Sequence, residues 1–172
     1  MKVSMPLAKA EAVAQAIVEQ LAPGCDRIEI AGSIRRCKPT IGDIEIVAIP
    51  TPRLNLLGDP EGHWLSPILA NLCHDGRMRL IKGGDRYRQY ALTASGLTLD
   101  LFLTTPERWG CIFLIRTGSA EFSKRIVTKA KTMDMRFDDG RLWRSDEAMH
   151  TPEEENVFWA LDMHYVAPED RT

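Results

Sequence analysis

Apolar residues return at helical spacing between positions 6 and 21. Leu7, Ala10, Val13, Ala14, Ile17 and Leu21 share one face, so the stretch predicts an amphipathic helix, and Pro23-Gly24 ends it. The period then shortens. Arg27–Ala31 reads as a short strand with Gly32-Ser33 directly after it. From Ile41 to Ile49, Ile44, Ile46 and Ala48 point one way and Asp43, Glu45 and Val47 the other, which is strand alternation. Pro50–Gly62, with three prolines and two glycines, reads as a loop.

Trp64, Leu65, Ile68, Leu69, Leu72 and Cys73 form a second helical stripe. Met78–Lys82 reads as a strand. Gln89–Thr93 and Leu97–Leu103 follow as strands joined at Ala94-Ser95-Gly96. Pro106 suits a helix start, and Trp109, Ile112, Phe113 and Arg116 continue that helix to Gly118. Phe122, Ile126, Ala130 and Met133 mark another helix. Asp139-Gly140 is a hairpin turn between Met135–Phe137 and Leu142-Trp143. Thr151-Pro152-Glu153-Glu154 reads as cap, first-turn proline and capping-box acid of a last helix that buries Val157, Phe158 and Leu161. The order predicts an α+β fold: a mixed sheet with flanking helices to about residue 105, then a smaller helical lobe with a hairpin over 106–172.

The 172 residues suffice for one domain or two small lobes sharing a core. No run of 18 apolar residues occurs, so a membrane-spanning helix is not expected. Cys25, Cys37, Cys73 and Cys111 are scattered without a Cys-x-x-Cys pair, the usage of reduced thiols in a cytoplasm. Net charge is −2, but it is unevenly spread. Arg116–Arg144 holds eight Lys/Arg against four acids, and Arg77–Arg88 holds five against one. Asp146–Thr172 holds eight acids against one base and masks both basic segments in the total. The tryptophans read as core fillers, with Trp143 in a basic hairpin the exception.

Asp43 and Glu45 leave the same face of one strand. Two such carboxylates repel unless a cation sits between them, and Mg²⁺ takes oxygen ligands of this kind. Asp100 is a lone acid within Leu97–Leu103, where burial is costly unless it is paired or metal-bound. Were the two strands neighbours, three carboxylates would converge as in a two-metal phosphoryl-transfer site. Gly32-Ser33-Ile34-Arg35-Arg36 offers close backbone approach, a hydroxyl and cations to phosphate oxygens.

Strand, Gly-Ser, two arginines, then Gly42-Asp43-Ile44-Glu45 resembles the nucleotidyltransferase superfamily. Thr117-Gly118-Ser119-Ala120-Glu121-Phe122-Ser123, the Thr151–Phe158 segment and Tyr165–Arg171 are similar to the family X DNA polymerases, the polymerase β-like group. The resemblance covers about residues 5–171 and implies a nucleotidyltransferase palm over 1–105 and a thumb over 106–172. It implies that Asp43, Glu45 and Asp100 ligate Mg²⁺ or Mn²⁺, Asp100 also helping to deprotonate the attacking hydroxyl. Gly32, Ser33 and Arg36 would serve the triphosphate, and Thr117, Gly118 and Ser123 the sugar and base. Lys124, Arg125, Lys129 and Arg141 would face DNA. The implied activity adds nucleotides from nucleoside triphosphates to a DNA 3′ hydroxyl at a primer-template or short gap, with release of pyrophosphate. The implied setting is a monomer acting in the cytoplasm, whether cellular or phage-encoded, and off the membrane.

Four positions depart from the family pattern. Glu45 stands where aspartate is usual, Ile115 and Arg116 where aromatics precede Thr-Gly, and Ser123 where asparagine contacts the base. No counterpart of the family's lyase or helix-hairpin-helix segments is seen, so a partner protein supplying grip on DNA is an expectation. A nucleotidyltransferase with another acceptor (an untemplated end, a small molecule or a protein) and a non-enzymatic binding module are the alternative readings.

Overall fold

The computed structural model describes residues 3–172. A two-residue strand β1 (Met5–Pro6) leads into helix α1 (Leu7–Leu21). Strand β2 (Cys25–Ile30) is followed by a single helical turn α2 (Gly32–Arg35), the short strand β3 (Thr40–Ile41) and the long strand β4 (Asp43–Pro50). Next come β5 (Pro52–Leu54), β6 (Pro60–His63), helix α3 (Leu65–His74), β7 (Met78–Lys82), β8 (Tyr87–Leu92) and β9 (Thr98–Leu103). The remainder holds α4 (Trp109–Thr117), α5 (Ala120–Thr132), β10 (Met135–Asp138), β11 (Arg141–Arg144), β12 (Glu147–Ala148) and α6 (Glu154–Ala160).

The main sheet has the order β2-β4-β9-β8-β7. β4 and β9 are parallel and the other pairs antiparallel, so the sheet is mixed, as the α+β reading requires. Strand alternation gives it two unlike faces. Ile44, Ile46 and Ala48 of β4 and Leu99, Leu101 and Leu103 of β9 join Ala10, Ala14 and Leu21 of α1 and Leu65, Leu69 and Leu72 of α3 in one buried core. The opposite face carries Val47, Ile49 and Phe102, covered by Trp109 and Phe113 of α4. A separate core joins Cys111 and Leu114 of α4 to Phe122, Ile126 and Ala130 of α5, Met135 and Leu142 of the hairpin, and Val157 and Phe158 of α6. Helix α4 therefore presents one side to the sheet and the other to the C-terminal helices.

Several local expectations are corrected. Pro50–Gly62 is not a plain loop: β5 and β6 pair, Pro52 against His63 and Leu54 against Pro60. The Asn55 side chain makes that turn by accepting from the Leu57 and Asp59 amides. Prolines are tolerated because the ribbon has only two strands, both of them edges. Gly32-Ser33, given no element by the sequence pattern, opens a helical turn. The last helix is capped by Glu153 with Asn156 in a capping box, not by Thr151. Thr151 is buried, its hydroxyl against the Cys111 thiol. Of the tryptophans only Trp109 is fully buried; Trp64 and Trp159 are exposed, Trp64 because it sits at the start of α3 rather than on its inner face. No described helix is long and apolar enough to cross a membrane. All four cysteines are free thiols.

Candidate active site

The second sheet face is acidic at one end and aromatic at the other. Glu45 and Val47 lie on the same side of β4, and Asp100 and Phe102 on the same side of β9. The parallel register pairs Asp43 with Thr98, Glu45 with Asp100, and Val47 with Phe102. Glu45 and Asp100 thus spring from facing positions on strands about 4.8 Å apart, with Asp43 one pleat along. The structure brings the three predicted carboxylates to one sheet end.

The acids are not equivalent. Tyr87 and Gln89, two apart on β8, both donate to Asp100 Oδ1, at 2.6 and 2.8 Å. They fix the side chain of an acid that the strand would otherwise bury alone. Burial, then the charges of Asp43 and Asp100, push the Glu45 carboxyl up to about 7, against the opposing pull of Arg36 and Arg116. This is a carboxylate group short of positive charge.

Among the described residues no three His, Cys, Asp or Glu side chains are arranged to hold a metal ion as they stand. The donor set nonetheless fits a hard divalent cation. It is all oxygen, on adjacent strands at one sheet end, with Glu45 held in a half-buried, anion-crowded setting that a cation would relieve.

Facing the acids is α2. Gly32 has φ of +63°, and a Cβ there would fall 1.8 Å from Glu45 Oε2, so only glycine permits this approach. The Ser33 hydroxyl and Arg36 Nε are buried without a partner. Orphaned polar groups of this kind are rare unless a ligand satisfies them. The adjacent arginines diverge, because neighbours on a helical turn lie about 100° apart. Arg36 keeps to the acid side and donates to the Thr117 carbonyl. Arg35 turns away, stacks over Phe113 at 4.0 Å, and grips Glu154 with two nitrogens at 2.6 and 2.8 Å.

Glu154 is the hub of a second charged cluster. It is buried and also takes two bonds from the fully buried Arg171, at 3.0 and 3.1 Å, and one from the Tyr165 hydroxyl at 2.9 Å. Burial alone would raise its carboxyl; the bonds from Arg35 and Arg171 reverse this and hold it at about 2. The cluster ties α2 to the C-terminal segment.

The other candidates fall as follows. The Thr117 hydroxyl accepts from Arg35 at 2.8 Å and so serves the framework. Gly118 has φ of +66° and begins a cis peptide, with Arg36 Nη1 3.1 Å from where a Cβ would lie. Ser119 caps α5 by accepting from the Phe122 amide at 3.2 Å, and Ser123 donates to the Ile115 carbonyl at 3.1 Å. Lys124 and Arg125 lie on the exposed side of α5, Arg125 reaching the Thr172 carbonyl, and Lys129 is half-buried. Arg141 is half-buried and lies 5.5 Å from the Trp143 ring, with its Nε unpartnered. Sequence reasoning missed Tyr87, Gln89, Glu154 and Arg171. The alternation of Tyr87 and Gln89 on a strand was a visible signal; their partner was not.

Residues 112–172 match the DNA polymerase beta thumb family. DNA polymerase lambda of Rattus norvegicus is 25% identical over 176 aligned positions, which cover 81% of this chain and 28% of that protein. The chain thus spans less than a third of that relative's length. Polymerase beta of Leishmania infantum in a ternary gap complex superposes with a TM-score of 0.83 at 17% identity, over 98% of this chain and 71% of that one. Its ternary P/T complex gives 0.81 at 17% identity, over 99% and 77%. These superpositions establish the fold.

Proposed function

We propose that this chain, a relative of the family X DNA polymerases in thumb sequence and in fold, adds nucleotides to a DNA 3′ hydroxyl in short gap-filling synthesis. The observation that carries this is the facing of Glu45 and Asp100 across β4 and β9, with the unpartnered Ser33 hydroxyl and Arg36 Nε nearby on α2. Residues 1–105 act as palm and 106–172 as thumb.

Asp43, Glu45 and Asp100 would hold Mg²⁺ or Mn²⁺. When bound, the ion neutralises charge on the triphosphate and lowers the acceptor hydroxyl's hold on its proton. The chain's own groups do the rest. Ser33 and Arg36 bind and orient the outer phosphates of the nucleoside triphosphate. Asp100, fixed through one oxygen by Tyr87 and Gln89, draws the proton from the attacking 3′ hydroxyl. The hydroxyl attacks the α-phosphate in line, one P–O bond forms, the other breaks, and pyrophosphate leaves. Gly118 admits the sugar close to the backbone, beside Ser123. Lys124, Arg125, Lys129 and Arg141 meet the DNA backbone, which makes binding weak at high salt. Such a chain acts as a cytoplasmic monomer, with a partner protein adding grip on DNA.

Primer extension at low salt with Mg²⁺ or Mn²⁺ tests the reading. A one-nucleotide gapped duplex and an unpaired strand are compared, with Asp100→Ala alongside. Template-matched addition that the variant lacks is the expected result. Addition to the single strand regardless of template, or no addition, overturns gap filling.

A further inference from the structure

Tyr87, which donates to Asp100, also lines a cleft of about 250 Å³ between β8, β9, α4 and the β10–β11 turn. Arg86, Arg108 and Arg116 all line it, while Asp139 is the one acid in its wall. Three guanidinium groups and one carboxylate leave the lining at +2. Converging like charges repel unless an anion is shared among them.

The cleft already holds one anionic group. Arg86 donates to one Asp139 oxygen and Arg108 to the other. A carboxylate gripped by two arginines occupies the seat that a phosphate oxygen pair takes in charge-assisted recognition. Asp139 is displaceable: it is exposed, at the tip of an Asp-Gly turn with φ of +49° and +73°. The third cation, Arg116, lies 4.2 Å over the Phe102 ring, which is itself stacked on Tyr87 at 5.2 Å. That stacking holds its guanidinium in place, where it also acts on Glu45. Thr104 also lines the cleft, and its hydroxyl is buried with no partner.

Size narrows the ligand. Sites for drug-sized molecules run from about 300 to 1,000 Å³, so a whole nucleotide is too large to be enclosed. A single phosphate or a pyrophosphate with some water fits.

We propose that Arg86, Arg108 and Arg116 form a second phosphate site, distinct from the Ser33–Arg36 turn, which Asp139 occupies at rest and vacates when a terminal phosphate arrives. The ligand is a phosphate group bearing more than one negative charge, from free pyrophosphate or from the 5′ phosphate of a DNA end. None of Asp43, Glu45 and Asp100 lines the cleft, so binding there needs neither nucleotidyl transfer nor a cation.

Calorimetric titration of the full chain in chelator, without nucleotide, tests this. Pyrophosphate, inorganic phosphate, and a short oligonucleotide with or without a 5′ phosphate are the separate titrants. At least one phosphate-bearing titrant binds the wild type. Asp139→Asn strengthens that binding about tenfold by removing the competitor, and Arg108→Gln weakens it at least tenfold. Pyrophosphate also meets the Ser33–Arg36 turn, so each titrant is repeated on the Ser33→Ala background, where the binding that Arg108→Gln weakens persists. Pyrophosphate binding alone identifies the free anion as ligand; preference for the 5′-phosphorylated strand over its hydroxyl twin identifies the DNA end. Asp139→Ser serves if the asparagine variant fails to fold, which circular dichroism reports. No binding to wild type or to either Asp139 variant overturns the proposal. So does binding that Ser33→Ala abolishes and Arg108→Gln leaves intact. Because the titration contains no primer, nucleotide or metal, its failure leaves primer extension standing, and the reverse holds.

Discussion

Two enclosed glutamates show opposite designs. Glu154 sits between Arg35 and Arg171, and their bonds outweigh its burial and hold it at about 2. Glu45 is burdened first by burial and then by two neighbouring acids, and rises to about 7 although Arg36 and Arg116 pull the other way. The first cluster is saturated: four guanidinium bonds and a phenol satisfy one carboxylate. The second is left wanting charge, and the nearby Ser33 and Arg36 keep unpartnered polar atoms. A saturated cluster holds parts of a fold together. A cluster short of counter-charge is where a ligand gains most by binding.

Removing an acid from each cluster separates these roles. Asp100→Ala lowers primer extension by about three orders of magnitude or more, while its melting temperature stays near wild type. A comparable loss of melting temperature would show that Asp100 is structural. Arg171→Ala removes two of the four guanidinium bonds to the buried Glu154, leaving it to Arg35 and Tyr165, and costs about 3 kcal/mol in urea unfolding. A loss under 1 kcal/mol would mean that water reaches the cluster.

Titrating the wild type sharpens the contrast. Glu154 has its carboxyl lowered in the fold, so its contribution is fully present above the unfolded value of about 4.5 and is lost as pH falls towards 2. The span corresponds to about 3 kcal/mol at 1.36 kcal/mol per unit. Glu154→Gln is less stable at pH 7, and its stability falls by that much less between pH 5 and pH 2. Equal acid slopes for the two proteins would refute the assignment. The smallest effect is at Tyr87→Phe, which frees one bond to Asp100. The expected loss is about tenfold in kcat with KM for nucleotide unchanged, in line with a hydrogen bond to a charged group. A change in KM alone would place Tyr87 in nucleotide binding instead.

Much of this was legible along the chain. The alternation of Ile41–Ile49 separated Asp43 and Glu45 from the apolar side, and that separation is physical: Ile44, Ile46 and Ala48 are in the core beneath α1 and α3. A lone Asp100 in an apolar strand signalled an unusual environment. The Gly-Ser-x-Arg-Arg run after a strand marked the turn that faces the acids. The two arginines of that run looked alike, yet one faces the acid cluster and the other binds Glu154 119 residues away. Thr117, read as a ligand contact, has its hydroxyl on Arg35.

Local pattern determined the elements because backbone preference and hydrophobic period act over a few residues. It determined which face of β4 is acidic and where most of the turns fall. The partners were decided only in three dimensions. Strand order β2-β4-β9-β8-β7 sets Glu45 opposite Asp100 and brings Tyr87 and Gln89 alongside. Nothing in the spacing of positions 45, 87, 89 and 100 encodes that register. Charge followed the same division. The acids and bases could be counted from the sequence, but whether a carboxylate sits at about 2 or about 7 depends on which guanidinium groups the fold brings within a few ångströms of it.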